Sequence, residues 1–164
     1  MKHLARVGVL MVVLVVSACA STNPFGAGGA GADAAAGSAS DPTSPAYFQQ
    51  TVGDRVWFAV DQSTLSPEAR DTLRKQAAWL NDNMAFNAII EGHADEQGTR
   101  EYNLALGARR ASAVQNFLIA QGVAPTRLRT VSYGKERPIE ICSDEACYAK
   151  NRRAVTVLTA GGMG

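Results

Sequence analysis

Ile90-Glu-Gly-His-Ala-Asp-Glu-Gln-Gly-Thr-Arg-Glu-Tyr-Asn-Leu-Ala-Leu-Gly-Ala-Arg-Arg-Ala111 is the stretch on which the fold of this 164-residue chain turns. It starts inside an apolar strand, Phe86 to His93, with Ile89 and Ile90 at its centre. It crosses a polar loop, Glu96-Gln97-Gly98, and continues into a long helix capped by Thr99 or a neighbour. Leu104, Ala111, Val114 and Leu118 mark the apolar side of that helix, and Gly122 ends it. A strand, loop and helix in succession bring free backbone amides and charged side chains to one junction, a natural place to hold a small charged ligand.

The flanking segments extend the pattern. Upstream, Arg55 to Val60 reads as a strand, and Ser66-Pro67-Glu68 opens a helix, because serine caps, proline suits the first helical position and glutamate complements the dipole. Leu73, Ala77, Leu80 and Met84 give that helix an apolar stripe. Downstream, Arg127 to Tyr133 and Ala154 to Thr159 read as strands, separated by a proline-containing loop and a short helical turn near Glu145 to Lys150. The order β-α-β-α-β-β predicts an α+β fold, a two-layer sandwich with both helices on one face of a sheet. The folded domain is expected over residues 47–160, with a short flexible tail at 161–164.

The N-terminus reads as an address. Lys2, His3 and Arg6 precede an apolar run from Val7 to Val16, then come Ser17, Ala18 and Cys19. This is the layout of a signal peptide over residues 1–18, and its apolar run is shorter than the roughly 20 residues of a membrane-spanning helix. Val16-Ser17-Ala18-Cys19 resembles a bacterial lipobox, which implies cleavage before Cys19 and its lipidation; ordinary secretory cleavage beside an incidental cysteine is the alternative. Ala20 follows where an aspartate would resemble an inner-membrane retention signal, so the expected destination is the outer membrane. Residues 19–46 are Ala, Gly, Ser, Thr and Pro with almost no large apolar side chain, and read as a disordered tether. About 27 such residues reach roughly 30 Å on average and about 90 Å when stretched. With 46% hydrophobic residues and a net charge of +1, the remainder fits one modest domain, and nothing in that charge implies nucleic acid.

Within the junction, Asp95 is the carboxylate at the end of the strand, and Asn103 and Arg110, seven residues apart, share one side of the helix. Gly107 lies between them, and a residue without a side chain there suggests a groove that leaves Arg110 approachable. A carboxylate facing a guanidinium matches a zwitterion bearing ammonium and carboxylate on one carbon. The two residues can also simply pair with each other or cap the helix.

Val56-Trp-Phe-Ala-Val-Asp61, the Glu91–Ala111 stretch, Thr130-Val-Ser-Tyr-Gly-Lys-Glu-Arg-Pro138 and Asn151-Arg-Arg-Ala-Val155 together resemble the peptidoglycan-associated lipoprotein (Pal) family of OmpA-like peptidoglycan-binding domains. The resemblance implies the OmpA-like fold, with Asp95 and Arg110 as the residues that hold the meso-diaminopimelate of a peptidoglycan stem peptide. It also implies Val60, Asp61, Asn103, Leu104, Gly107 and Arg153 as further contacts or walls, although Arg152 and Arg153 read equally well as charges at a strand start. Its implied partners are the wall, TolB and the other Tol proteins, and its implied role is to tie the outer membrane to the wall in envelope integrity and cell division. A periplasmic interaction scaffold with secondary wall binding is the alternative, and a wall hydrolase a third reading.

Cys142 and Cys147, with four residues between them in a turn-prone loop of a secreted chain, read as a disulfide worth about 2 kcal/mol; a metal site and free thiols are the rivals. Glu91, His93 and Asp95 alternate along the strand, but no nucleophile elbow or metalloprotease spacing accompanies them. His93 is expected to be a buried, hydrogen-bonded core residue, and the groove to bind without turnover, with no metal or cofactor.

Overall fold

The computed structural model describes residues 37–141 and 143–161. The expected signal peptide, Cys19, most of the expected tether, Cys142 and the final three residues lie outside the described residues. Four strands, β1 (Arg55–Trp57), β2 (Phe86–His93), β3 (Leu128–Gly134) and β4 (Arg153–Ala160), alternate with helices α1 (Pro67–Asp82), α2 (Arg100–Ala120) and α3 (Glu145–Asn151). They are preceded by a helical turn, Pro45–Tyr47, that runs into a wider π-helical turn, Phe48–Gly53.

The helix ends follow the local chemistry read from the sequence. Ser66 Oγ accepts from the Ala69 amide at the start of α1, and Thr99 Oγ1 accepts from the Tyr102 amide at the start of α2. Past the end of α2, Gly122 takes φ 95°, and the Gly122 and Val123 amides return to the Ile119 and Leu118 carbonyls.

The sheet order is β1-β4-β2-β3. β2 and β3 are parallel and joined by the α2 crossover, whereas β4 runs antiparallel to both β1 and β2 and inserts between them. Val56, Ala88, Ile90, Leu128 and Ala154 face the helices and meet Phe48, Leu73, Leu80, Val114 and Leu118 in one buried core. The buried Gln76 amide is satisfied at both ends, donating to the Gly53 carbonyl (2.6 Å) and accepting from Thr156 Oγ1 (2.8 Å).

Four expectations shift. β1 stops at Trp57 and not Val60, because the chain turns at residues 58–61 and the Ala59 and Gln62 carbonyls are claimed by Arg110. Met84 lies past the end of α1 and is exposed, its sulfur accepting from Arg127. Leu104 lies on the flank of α2, half exposed, because the inward arc is centred on Asn103, Leu106, Gly107, Arg110, Val114 and Leu118. The tether ends earlier than residue 46: Ser44 is buried, and Trp79, packed between Phe48 and Phe86 (ring centroids 4.9 and 5.3 Å), donates Nε1–H to the Pro42 carbonyl (2.7 Å).

Candidate binding cleft

At the end of the sheet where β2 runs out, a cleft of about 250 Å³ is lined by Val60, Asp61, Asp95, Gln97, Gly98, Tyr102, Asn103 and Leu106. Three local structures build it. The turn after β1 supplies Val60 and Asp61, the loop between β2 and α2 supplies Asp95 to Gly98, and the first turn of α2 supplies Tyr102 and Asn103. Asn103 Nδ2 donates to the Gln97 carbonyl (2.7 Å) and Lys135 Nζ to the Gly98 carbonyl (2.8 Å), so the loop is pinned from both sides.

Asp95 sits just beyond the end of β2 and is 7% exposed. Its Oδ1 accepts from the Gln97 amide (3.2 Å), and its Oδ2 accepts from Arg152 NH1 (3.1 Å). Arg152 also donates to the Phe58 carbonyl (3.3 Å) and to the Glu145 carboxylate at the start of α3. The acid therefore faces the cleft with a buried cation at its back.

Arg110 does not stand open across a groove. Its side chain is 0% exposed and lies behind the cleft wall, its charge 5.2 Å from the centre of the Phe58 ring. Nε donates to the Gln62 carbonyl (2.8 Å), NH1 to the His93 carbonyl (2.8 Å) and NH2 to the Ala59 carbonyl (3.2 Å). Burial pushes this guanidinium down to about 10; Asp95 and Asp61 oppose the shift and Arg152 adds to it. It stays charged at neutral pH.

Gly107 has a different purpose from the one its position suggested. A Cβ there would lie 2.4 Å from Ser132 Oγ and 2.8 Å from the Gly92 carbonyl, so the missing side chain lets α2 lie against the sheet and opens no groove. Gly92 is its counterpart, its own Cβ position only 1.8 Å from the Gly107 carbonyl oxygen.

Of the anticipated residues, Val60, Asp61, Asp95 and Asn103 line the cleft together, and Arg110 backs it. Leu104 stands outside it. Arg153 is buried on the opposite sheet face, donating to the Asn151 and Arg137 carbonyls. The sequence left Arg152 and Arg153 equally undecided, and strand alternation contained the signal: with Ala154 facing the helices, Arg152 shares that side and Arg153 does not. Tyr102 was missed as well; its hydroxyl donates to Asp61 Oδ1.

His93 is buried, 5.6 Å from the Tyr133 ring, but neither ring nitrogen has a hydrogen-bond partner, contrary to expectation; Glu91 Oε2 lies 3.6 Å from Nε2. Burial, with Arg153 and Arg137 nearby, pushes its pKa down to about 4. Cys147 is buried and disulfide-bonded. Among the described residues no group of three or more His, Cys, Asp or Glu is placed to hold a metal, and no helix is long and apolar enough to cross a membrane.

Comparison with known proteins bears on this cleft. The model of the OmpA family matches residues 57–152, which include all of its lining. A peptidoglycan-associated lipoprotein of Mesorhizobium japonicum is 48% identical over 159 residues, covering 93% of this chain and 90% of that protein. The crystal structure of the peptidoglycan-associated lipoprotein from Burkholderia pseudomallei superposes with a TM-score of 0.66 at 37% identity, covering 74% of this chain and 98% of that one. The C-terminal domain of Helicobacter pylori MotB shares the fold, with a TM-score of 0.61 at 22% identity over 66% of this chain and 86% of that one.

Proposed function

Because this chain belongs to the OmpA family and matches peptidoglycan-associated lipoproteins over most of its length, we propose that it is an outer-membrane lipoprotein whose cleft grips the diaminopimelate-containing stem of peptidoglycan. As a member of that family it binds and is not an enzyme. The observation that carries the reading is the pair of carboxylates, Asp61 and Asp95, lining one small cleft in front of the buried Arg110 charge. An ammonium fits between the acids. The carboxylate on the same carbon fits toward the Asn103 amide and the amino end of α2, where backbone N–H groups and the dipole favour negative charge, with the Arg110 guanidinium behind the wall.

In this reading the lipid on Cys19 holds one end, the tether spans the gap, and the domain grips the wall without a covalent bond, so attachment is reversible. Cys142 is the partner we assign to Cys147, stiffening the segment before α3. The Tol proteins are the partner set, with TolB competing for a surface overlapping the cleft; the exposed Val60 and Leu104 beside it offer the apolar contact such a partner needs. The test is cosedimentation with purified sacculi. The wild-type chain sediments with the wall, and Asp95→Asn stays in the supernatant. Cosedimentation of Asp95→Asn at the wild-type level sinks the cleft as the wall site, and release of reducing ends would point to a hydrolase instead.

A further inference from the structure

β1 is an edge strand of the sheet, paired with β4 on one side. On that side the Asp54 carbonyl accepts from the Thr156 amide (2.7 Å), Val56 stands opposite Ala154, and the Phe58 amide donates to the Arg152 carbonyl (2.9 Å). Alternation then turns the N–H and C=O groups of Arg55 and Trp57 away from the sheet, where no described strand meets them. Beside that edge, toward the start of α1, lies a cavity of about 150 Å³ lined by Val56, Trp57, Ser66, Glu68, Ala69 and Thr72. Val56 and Ala69, both buried, give it an apolar floor, and it has room for one aliphatic side chain. The Trp57 side chain alternates to the other sheet face and is 54% exposed.

These features fix what fits there. Unpaired backbone groups along an edge take an extended chain, and not a helix or a lipid surface, because an extended chain offers N–H and C=O groups at the matching spacing. In an added strand, the residue opposite Val56 points to the helix side, into the cavity. The charge at the mouth is that of the exposed Glu68, since Arg55 is held by Asp54 (2.7 Å) and Arg70 by the Leu65 carbonyl (3.2 Å). A second copy of this chain does not complete the site: its β1 would present Val56, which is committed to its own core at 2% exposure, and the cavity would stay empty. We propose that the β1 edge takes an extended segment of a partner protein as an added strand, with an aliphatic side chain in the cavity and a basic residue two positions away against Glu68. The cavity and the cleft share no lining residue, so this partner does not compete for the cleft.

The probe is a short acetylated and amidated peptide with valine at its centre, lysine two positions to either side and threonine elsewhere, a sequence that reads the same in both strand directions. Titrated into the intact chain and followed by NMR, it should bind with a Kd below about 1 mM, shifting the Arg55 and Trp57 amides and the Ala69 methyl while the Asp95 and Asn103 signals stay in place. In an added strand alternate N–H groups face β1, so N-methylation of the valine and N-methylation of its two neighbours must act unequally. One of these peptides keeps its affinity and the other loses at least about fivefold. Equal effects of the two, or no binding of the parent peptide at about 1 mM, overturn the proposal. On the protein side, Trp57→Pro removes an outward N–H without touching the ladder to β4 and should lose the peptide, whereas Trp57→Thr keeps that N–H and should retain it. Equal affinities of the two folded variants overturn the proposal; should Trp57→Pro not fold, the methylated peptides decide, since they leave the protein unaltered. Self-association of the chain that the peptide fails to displace assigns the edge to a second copy and overturns it as well.

Discussion

Gly107→Ala sets two opposed effects against each other. Alanine is favoured over glycine inside a helix by about 1 kcal/mol. Against that, the new Cβ would lie 2.4 Å from Ser132 Oγ and 2.8 Å from the Gly92 carbonyl oxygen. The serine hydroxyl can rotate away, giving up its bond to the Leu104 carbonyl (2.6 Å), a loss of about 1 kcal/mol. The Gly92 carbonyl cannot, because β2 is paired on both sides at that residue. The middle of α2 must therefore lift from the sheet, and overpacking of this kind costs about 1–3 kcal/mol. The helix gain and the lost hydrogen bond roughly cancel, and the balance is a destabilisation of about 1–3 kcal/mol. Gly92→Ala has no helix gain to offset a contact of 1.8 Å with the Gly107 carbonyl, and about 3 kcal/mol or more is expected. Urea unfolding followed by tryptophan fluorescence measures both, provided the slope is unchanged. A Gly107→Ala protein as stable as wild type or more so would refute the reasoning, because helix propensity would then have won and α2 would not be resting on that glycine.

Three further outcomes follow from the contacts. With its folded pKa near 4, His93 binds its proton more weakly in the native state than in the unfolded chain; stability should be full above about pH 6.5, fall as the pH drops toward 4, and level off below. The full loss is roughly 3 kcal/mol, and His93→Gln should flatten that part of a pH series of urea midpoints, while Glu91, Tyr133, Arg137 and Arg153 around it stay in place. Arg152→Met leaves the Asp95 carboxylate buried without its cation and should cost about 3 kcal/mol, whereas Glu145→Ala removes a mostly exposed partner and should cost under about 1 kcal/mol by the same unfolding measurement. Trp79→Phe keeps the aromatic packing but leaves the Pro42 carbonyl unpaired, so a loss of about 1 kcal/mol and faster proteolysis near residues 42–48 are expected; unchanged proteolysis would mean that this contact does not hold the start of the domain.

The helices and all four strands were legible, β1 alone being drawn three residues too long, because most carry a local signature: Ser66-Pro67 and Thr99 as caps, Gly122 as a stop, and the β-branched run around Ile89. Sheet order was not, since the insertion of β4 between β1 and β2 depends on pairing across most of the chain and leaves no local mark. At the site, Val60, Asp61, Asp95 and Asn103 line one cleft, whereas the open groove expected beside Gly107 and Arg110 is absent, for one reason. Helical spacing shows that two residues lie on one face without showing whether that face meets solvent or a sheet, and here it meets β2 and the turn after β1. Arg152 and Tyr102 were obscured because their partners, Asp95 and Asp61, lie 57 and 41 residues away in the chain.

The claim that the cleft recognises a zwitterion is tested most directly by calorimetric titration of the chain with two stem peptides, one carrying meso-diaminopimelate and one carrying lysine in its place. Lysine keeps the ammonium for Asp61 and Asp95 but lacks the second carboxylate, so donors arranged for it stay unpaired, a difference of about 1–3 kcal/mol, or about fivefold to 150-fold in affinity. The account predicts tight binding of the first peptide and weak or no binding of the second. Equal binding of the two, or binding of neither, would contradict it.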